Sequence, residues 1–327
     1  MAAVMAVDRG WELQAIKGID AATPAPPNLL RLSRRPRTDA VDTSPLTIDV
    51  AAHTHCVLVE MHDAEPQPAQ DEAAQVLQID LNLAPGATLQ HLRVIAPAHE
   101  ARVDHRIRVR IDEQAHYHQL LIASGGLRHL QGTEIELASA GAAAQMAAVL
   151  FAADAALEQQ VSIVHAAADT HSSVETLVLA SGRARAAVAA QTRIAPGAAD
   201  AQARQRLAGI PTGGQPQLAL RPHLQINHDQ VQAAHGATWG ALPQDALFYA
   251  QQRGLDEPAA RRLIIEGMAL AVLERAMQPQ QRDAGDGSDR DESELLQTLG
   301  VAARLHGAVA RHLSASPDAR SMEHDDD

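Results

Sequence analysis

Seventeen histidines are the most unusual polar feature of this 327-residue chain. Imidazole coordinates metals and moves protons near neutral pH. Two pairs have a spacing suited to that chemistry. His53 and His55, and His116 and His118, lie two residues apart in segments with strand character. Residues i and i+2 of a strand share a face, so each pair could present two nitrogens to one ion. Cys56, the single cysteine, would face away from His53 and His55, which makes a three-ligand site from that run geometrically poor. A stable site needs more than two ligands, so histidines exposed on a strand are the competing reading for both pairs.

Other chemistries find no support. A phosphate-binding P-loop needs a lysine after its last glycine, but the one lysine, Lys17, precedes Gly18. Pro211-Thr212-Gly213-Gly214 reads as a turn. Ser124 and Ser139 lie near glycines without forming the Gly-x-Ser-x-Gly elbow of a serine hydrolase. Asp256 and Glu257 read as acidic residues at a helix start, where the dipole favours negative charge. No catalytic constellation assembles from this chain alone, and the expectation is that it is not an enzyme.

Residues of these types must be positioned by a core that is 46% hydrophobic in composition but holds only 2% aromatics. Thin aliphatic layers suit a β-solenoid. A net charge of −13 disfavours nucleic acid and anionic membranes as partners, and the short basic run from Arg31 to Arg37 reads as a solvated linker. One cysteine forms no internal disulfide. No apolar run reaches the ~20 residues that span a bilayer, and Met1–Gly10 lacks the core of a signal peptide. A cytoplasmic location is expected.

Residues 1–45, with Pro24, Pro26, Pro27 and Pro36, read as an irregular lead-in. From Leu46 to about Gly240 the period is two. Leu77, Ile79, Leu81 and Leu83 alternate with polar residues, as do Val103, His105, Ile107, Val109 and Ile111, the pattern of strands with one buried face. Breaks near Gly126, Gly141, Ala155, Asp169, Gly182, Gly197 and Gly213 recur at a regular interval, half the length of one supersecondary repeat. Two such intervals make one coil of about 30 residues, and a β-helix over 46–240 is predicted. Residues 241–313 turn helical. Pro243 opens a first helix that Gly254 closes, Asp256 caps a second carrying Leu263, Ile264, Met268 and Val272 on one face, and a third is predicted over Asp291–Leu313. Residues 314–327 form an acidic tail expected to be disordered.

The stretch from Pro222-His223-Leu224-Gln225-Ile226 through His235-Gly236-Ala237-Thr238 to Leu247-Phe248-Tyr249 and Arg253-Gly254 resembles the C-terminal signature of the SufB/SufD family of iron–sulfur cluster assembly proteins. Val164-His165 followed by His171-Ser172-Ser173 resembles its upstream motif. Gly236 after the histidine is similar to the SufD branch, where SufB has glutamate. Residues 201–214 lack the SufB scaffold cysteine. Ala233 and Ala234 stand where many SufD proteins carry a cysteine, and the lead-in is shorter than the family's usual N-terminal region.

The resemblance implies a mainly β protein, a right-handed parallel β-helix with a C-terminal α-helical domain. It implies a SufD-like scaffold that pairs with a SufB-like subunit and docks a SufC-like ATPase through its helices. A transient iron–sulfur cluster would form at the subunit interface, and no cofactor would be held stably by this chain alone. His235 matches the histidine that faces the SufB scaffold cysteine, with Gly236, Ala237 and Thr238 around it, and is a candidate transient iron ligand. The structural alternative for His235 is a ring bonded to a nearby carbonyl, with Gly236 admitting a close backbone approach. Two other functions share the architecture: a self-sufficient homodimeric scaffold, and a carbohydrate-active β-helix enzyme, which would want clustered carboxylates and aromatic platforms.

Overall fold

A computed structural model describes residues 6–7, 11–15, 28–34, 45–63, 75–277 and 299–315. Two sheets face each other. In spatial order, sheet I holds β1 (Ala6–Val7), β4 (Leu46–Val50), β6 (Gln75–Leu83), β8 (Arg102–Ile111), β10 (Arg128–Leu137), β12 (Ala156–His165), β14 (Arg185–Ile194) and β16 (Gln217–Ile226). Sheet II runs from β17 (Val231–Trp239) through β15 (Ala201–Gly214), β13 (His171–Gly182), β11 (Ala143–Ala153), β9 (His116–Ser124), β7 (Thr88–Ala96) and β5 (His55–Asp63) to β3 (Leu29–Arg34) and β2 (Trp11–Ala15). From β3 onward the chain alternates between sheets strand by strand, and all neighbours pair in parallel except β1 with β4 and β2 with β3. This is a parallel β-solenoid. Ala143 pairs with His171 and His171 with Gln202, so one coil takes about 30 residues, the size of a supersecondary repeat.

The segment read as an irregular lead-in contributes β1, β2 and β3, which extend both sheets at the N-terminal end. These strands are too short for a period-two pattern to stand out among prolines. The tail from residue 316 and the first part of the third predicted helix lie outside the described residues.

The turns explain the regular spacing. His53, Gly86, Gln114, Gly141, Asp169 and Asp200 all take a left-handed backbone, with φ between 52° and 73°. The backbone N–H groups of His53, Gly86, Gln114, Asp169 and Asp200 each donate to a carbonyl of the next coil at 2.8–3.0 Å. A Cβ at Gly86 would run into the His53 ring of the neighbouring coil, so glycine suits both this left-handed turn and its stacking.

The two sheets differ in what covers them. Strands of sheet I alternate buried and exposed, as in β8. In sheet II the strands beneath the helices, such as β7 and β11, are buried almost throughout. Their inner face meets the aliphatic core between the sheets. Their outer face, with Val59, Leu92, Ile122, Val149 and Leu177, packs against helices. Three helices are described: α1 (Gln244–Gln252), α2 (Glu257–Met277) and α3 (Val301–Ser314). Asp256 Oδ1 accepts from the Ala259 N–H at 2.8 Å, capping α2. Ile265, Ala269, Val272 and Leu273 of α2 and Leu305, Ala308 and Val309 of α3 share one core with sheet II. The helices are therefore folded back onto the solenoid. Among the described residues, no helix is long and apolar enough to cross a membrane.

Candidate functional site

Of the two histidine pairs, one separates on folding. His53 lies in a left-handed turn and not on a strand, so it does not share a strand face with His55. His55 opens β5, where its Nε2 meets Gln90 Oε1 at 2.9 Å. Cys56 turns into the core between the sheets on an internal strand, and burial pushes its thiol up to about 11. His116 and His118 stay together on β9, their ring centroids 6.4 Å apart, but among the described residues no carboxylate or thiol joins them in a group fit to hold a metal.

The upstream motif has a structural task. His165 ends β12 facing inward, fully buried. Its Nδ1 lies 2.8 Å from Thr170 Oγ1 and its Nε2 lies 2.8 Å from Ser172 Oγ. Thr170 donates to the Ala167 carbonyl, so its oxygen accepts from His165 Nδ1–H and Ser172 donates to Nε2. The ring thus ties the turn between β12 and β13. Burial, with a smaller contribution from His171, lowers its pKa to about 4.

His235 occupies an equivalent inward-facing column but a different environment. It pairs in register with Gln205, which faces inward and is buried. Gln205 donates to Thr192 Oγ1 at 2.8 Å and to the His223 carbonyl at 3.2 Å. Among the described residues no further coil follows β16 and β17, which end their sheets. His235 is therefore exposed, as are Ile226 and Trp239, the latter 58%. A Cβ at Gly236 would meet nothing within 4 Å. Among the described residues, the close approach expected at Gly236 does not occur.

The helices carry a second exposed surface. Phe248 is 64% and Leu263 55% exposed, while Tyr249 stacks under Arg253 at 3.5 Å. Ile264 and Met268 pack against the shared core, but Leu263 does not join them. A groove of roughly 1020 Å³ lies beside α2 and the outer face of β13, β15 and β17, lined in part by Arg204, Arg206, Gly236, Met268 and Arg275.

A further cluster lies in the first coils, among residues that no sequence motif singles out. Glu60 of β5 is fully buried between the sheets. Its Oε2 accepts from Arg93 Nε at 2.6 Å and its Oε1 accepts from Arg93 Nη2 at 3.1 Å. His62 Nε2 is 2.8 Å and His105 Nδ1 3.4 Å from Oε1, and His91 Nε2 is 3.4 Å from Oε2. His91 Nδ1 continues to Tyr117 Oη, which donates to Gln119 Oε1. Burial pushes the Glu60 carboxyl up, but Arg93 and the imidazoles outweigh it and hold the group well below the usual carboxylate range. Burial lowers His105 to about 4 and lowers His91 as well. The available signal was His105, an imidazole on the inward register of an otherwise aliphatic strand, and Glu60-x-His62, two polar residues on one face.

Residues 35–268 match the family model described as "SUF system FeS cluster assembly, SufBD core domain". Shorter segments align with curated proteins. Protein ABCI7, chloroplastic, of Arabidopsis thaliana is 41% identical over 20% of this chain and 14% of its own length. An iron–sulfur cluster assembly SufBD family protein of Synechocystis is 40% identical over 18% of this chain and 13% of its own. The iron–sulfur cluster assembly protein SufD of Escherichia coli is 33% identical over 18% and 14%. The aligned segments thus span about a seventh of each relative.

Proposed function

The chain belongs to the SufBD family of the SUF iron–sulfur cluster assembly system, and from that premise we propose that it is a SufD-like scaffold subunit and not an enzyme in its own right. It pairs with a SufB-like subunit through the uncovered last coil and docks a SufC-like ATPase through its helices. The observation that carries the reading is His235 on an inward-facing column that no described coil covers. A free strand edge is a template for pairing with another chain, and β17 offers one beside exposed Ile226 and Trp239.

The chemistry fits a shared site. A cluster takes about four thiolate or imidazole ligands. Cys56 is buried, with its thiol raised to about 11, and cannot act as a thiolate near neutral pH. The thiolates must come from the partner, and His235 supplies an imidazole that ligates iron or carries a proton while the cluster, the assembly's cargo, is built. The energy source must also come from a partner, and Phe248, Tyr249 and Leu263 form an apolar surface on the helices suited to docking it. The reading places this work in the cytoplasm, with neither nucleic acid nor membrane as partner.

Co-expression of the full chain with a SufB-like subunit and a SufC-like ATPase tests the reading. A stable ternary complex is expected on size exclusion, and Phe248→Glu with Leu263→Glu should release the ATPase while leaving the scaffold pair intact. A chain that purifies as a homodimer and ignores both partners would overturn it. Removing everything after Gly240 is a poor substitute, because it would bare the apolar outer face of sheet II.

A further inference from the structure

We propose that Glu60, His62 and His105 form a binding site for one divalent first-row transition-metal ion, zinc or ferrous iron, in the first coils of the solenoid and separate from the uncovered last coil. One donor atom from each residue lies within 4.8 Å of the other two. Two imidazole nitrogens, His62 Nε2 and His105 Nδ1, converge on one carboxylate oxygen, Glu60 Oε1, at 2.8 and 3.4 Å. Donors that each sit ~2.0–2.2 Å from a shared tetrahedral zinc ion stand about 3.4 Å from one another, so His105 and Glu60 already have that spacing and His62 need only draw back by about half an ångström. The donor set selects the metal class. Two nitrogens and one oxygen suit zinc or ferrous iron, whereas magnesium and calcium prefer all-oxygen shells.

The surroundings are arranged as an outer shell. Arg93 Nε holds Glu60 Oε2, leaving Oε1 turned toward the imidazoles. This is the fixing of a ligating carboxylate that metal sites commonly require. Arg93 Nη2 also reaches Oε1 at 3.1 Å, and it would give way when the ion takes that oxygen. Binding needs no net proton transfer from neutral imidazoles. In each, the proton moves to the ring nitrogen facing away from Glu60, leaving a lone pair for the ion. Entry is by His62, the one member of the three that is not fully buried. His91 lies beside Oε2 as a further nitrogen donor.

This site is independent of His235. Along the column that joins them, His91 and Gln119 are followed by Met146 and Val174 before Gln205 and His235, so apolar side chains interrupt any polar track between the two.

The experiment is zinc titration of the full chain against a competing chromophoric chelator, which hides weak binding by the many surface histidines. One equivalent per chain is expected to bind with a Kd below ~1 µM. His62→Ala should weaken it by ~100-fold or more, beyond the 10–100-fold typical of outer-shell changes. His116→Ala and His235→Ala should bind as wild type does. Anaerobic ferrous iron should compete for the same equivalent, and magnesium should not. Zinc should raise the melting temperature of the wild type but not of His62→Ala. X-ray absorption on the zinc-loaded wild type needs no variant, and it should show two imidazoles, oxygen and no sulfur. Absence of a tight equivalent, equal affinity in His62→Ala, or a sulfur ligand would each overturn the site.

Discussion

The first and last coils of this solenoid place polar side chains at the same kind of inward-facing position, with opposite outcomes. In the first coils Glu60 and Arg93 are sealed between sheets and bonded to each other. In the last coil His235 sits in register on buried Gln205 and is open to solvent. The difference is the next coil. Sealing turns a polar residue into a structural commitment, because a buried charge must be paired. Leaving the coil uncovered turns it into a contact point.

The largest effect should come from breaking the sealed pair. Arg93→Met leaves Glu60 ionised without its guanidinium in a dry interior, which typically costs about 3–5 kcal/mol. Urea unfolding in the presence of a chelator measures it. Adding Glu60→Leu should restore part of the loss by removing the stranded charge. Full recovery is not expected, since His62, His91 and His105 then lose their acceptor. A single variant as stable as wild type would mean that the charge is not sealed.

The next effect is acid sensitivity. His165, in the sealed middle coils, and His312, on the buried face of α3, both titrate near 4 when folded because burial disfavours the imidazolium. Thr212 donates to the Ala180 carbonyl, so its oxygen accepts from His312 Nε2–H at 2.7 Å, while Nδ1 has no hydrogen-bond partner among the described residues. Unfolded imidazoles titrate at ~6.5. Above that pH both states are neutral and these groups add no pH dependence. As pH falls from about 6.5 to 4 the unfolded chain binds protons that the folded chain refuses, and stability drops by up to ~1.4 kcal/mol per unit for each such group. His312→Phe should flatten the slope by about one proton, and a slope unchanged from wild type would show that His312 is not held neutral.

The fold was largely legible because the solenoid writes itself into local pattern. Alternation in β6 and β8, and breaks at a regular interval, are properties of neighbouring residues. Helix ends were legible for the same reason, as at Asp256. The return of the helices onto sheet II was signalled but not read. Runs such as those in β11 are buried on both faces, and a continuous apolar strand implies cover on each side. Of the Glu60 cluster only the separate members were legible, as polar residues on inward registers; their meeting was not, because His62 and His105 come together only through the stacking of β5, β7 and β8 across two sheets, which no spacing rule encodes. His53 was misread because a left-handed turn residue in a run of alternating polarity looks like a strand residue. His235 was found by motif, while its exposure followed only from β17 being the last strand.

The smallest effect on stability, and the sharpest test of the contrast, is expected at the uncovered coil. His235 is exposed, and a Cβ at Gly236 would meet nothing within 4 Å. Surface changes away from special features usually stay within about 0.5 kcal/mol. His235→Ala and Gly236→Ala should therefore unfold in urea with the wild-type midpoint and slope. Their effects should then diverge. His235→Ala should leave the complex with a SufB-like partner intact on size exclusion but slow cluster delivery to an apo acceptor, because only the imidazole is lost. Replacing Gly236 with a larger side chain, as in Gly236→Leu, should weaken pairing itself if the partner's backbone approaches there, again with no change in the isolated chain's stability. If His235→Ala lowers stability by about 2 kcal/mol or more, well beyond the range of surface changes, the residue is structural, like His165. If the assembled variant delivers clusters at the wild-type rate, the uncovered coil is a docking surface without chemistry, and the site at His235 is wrong.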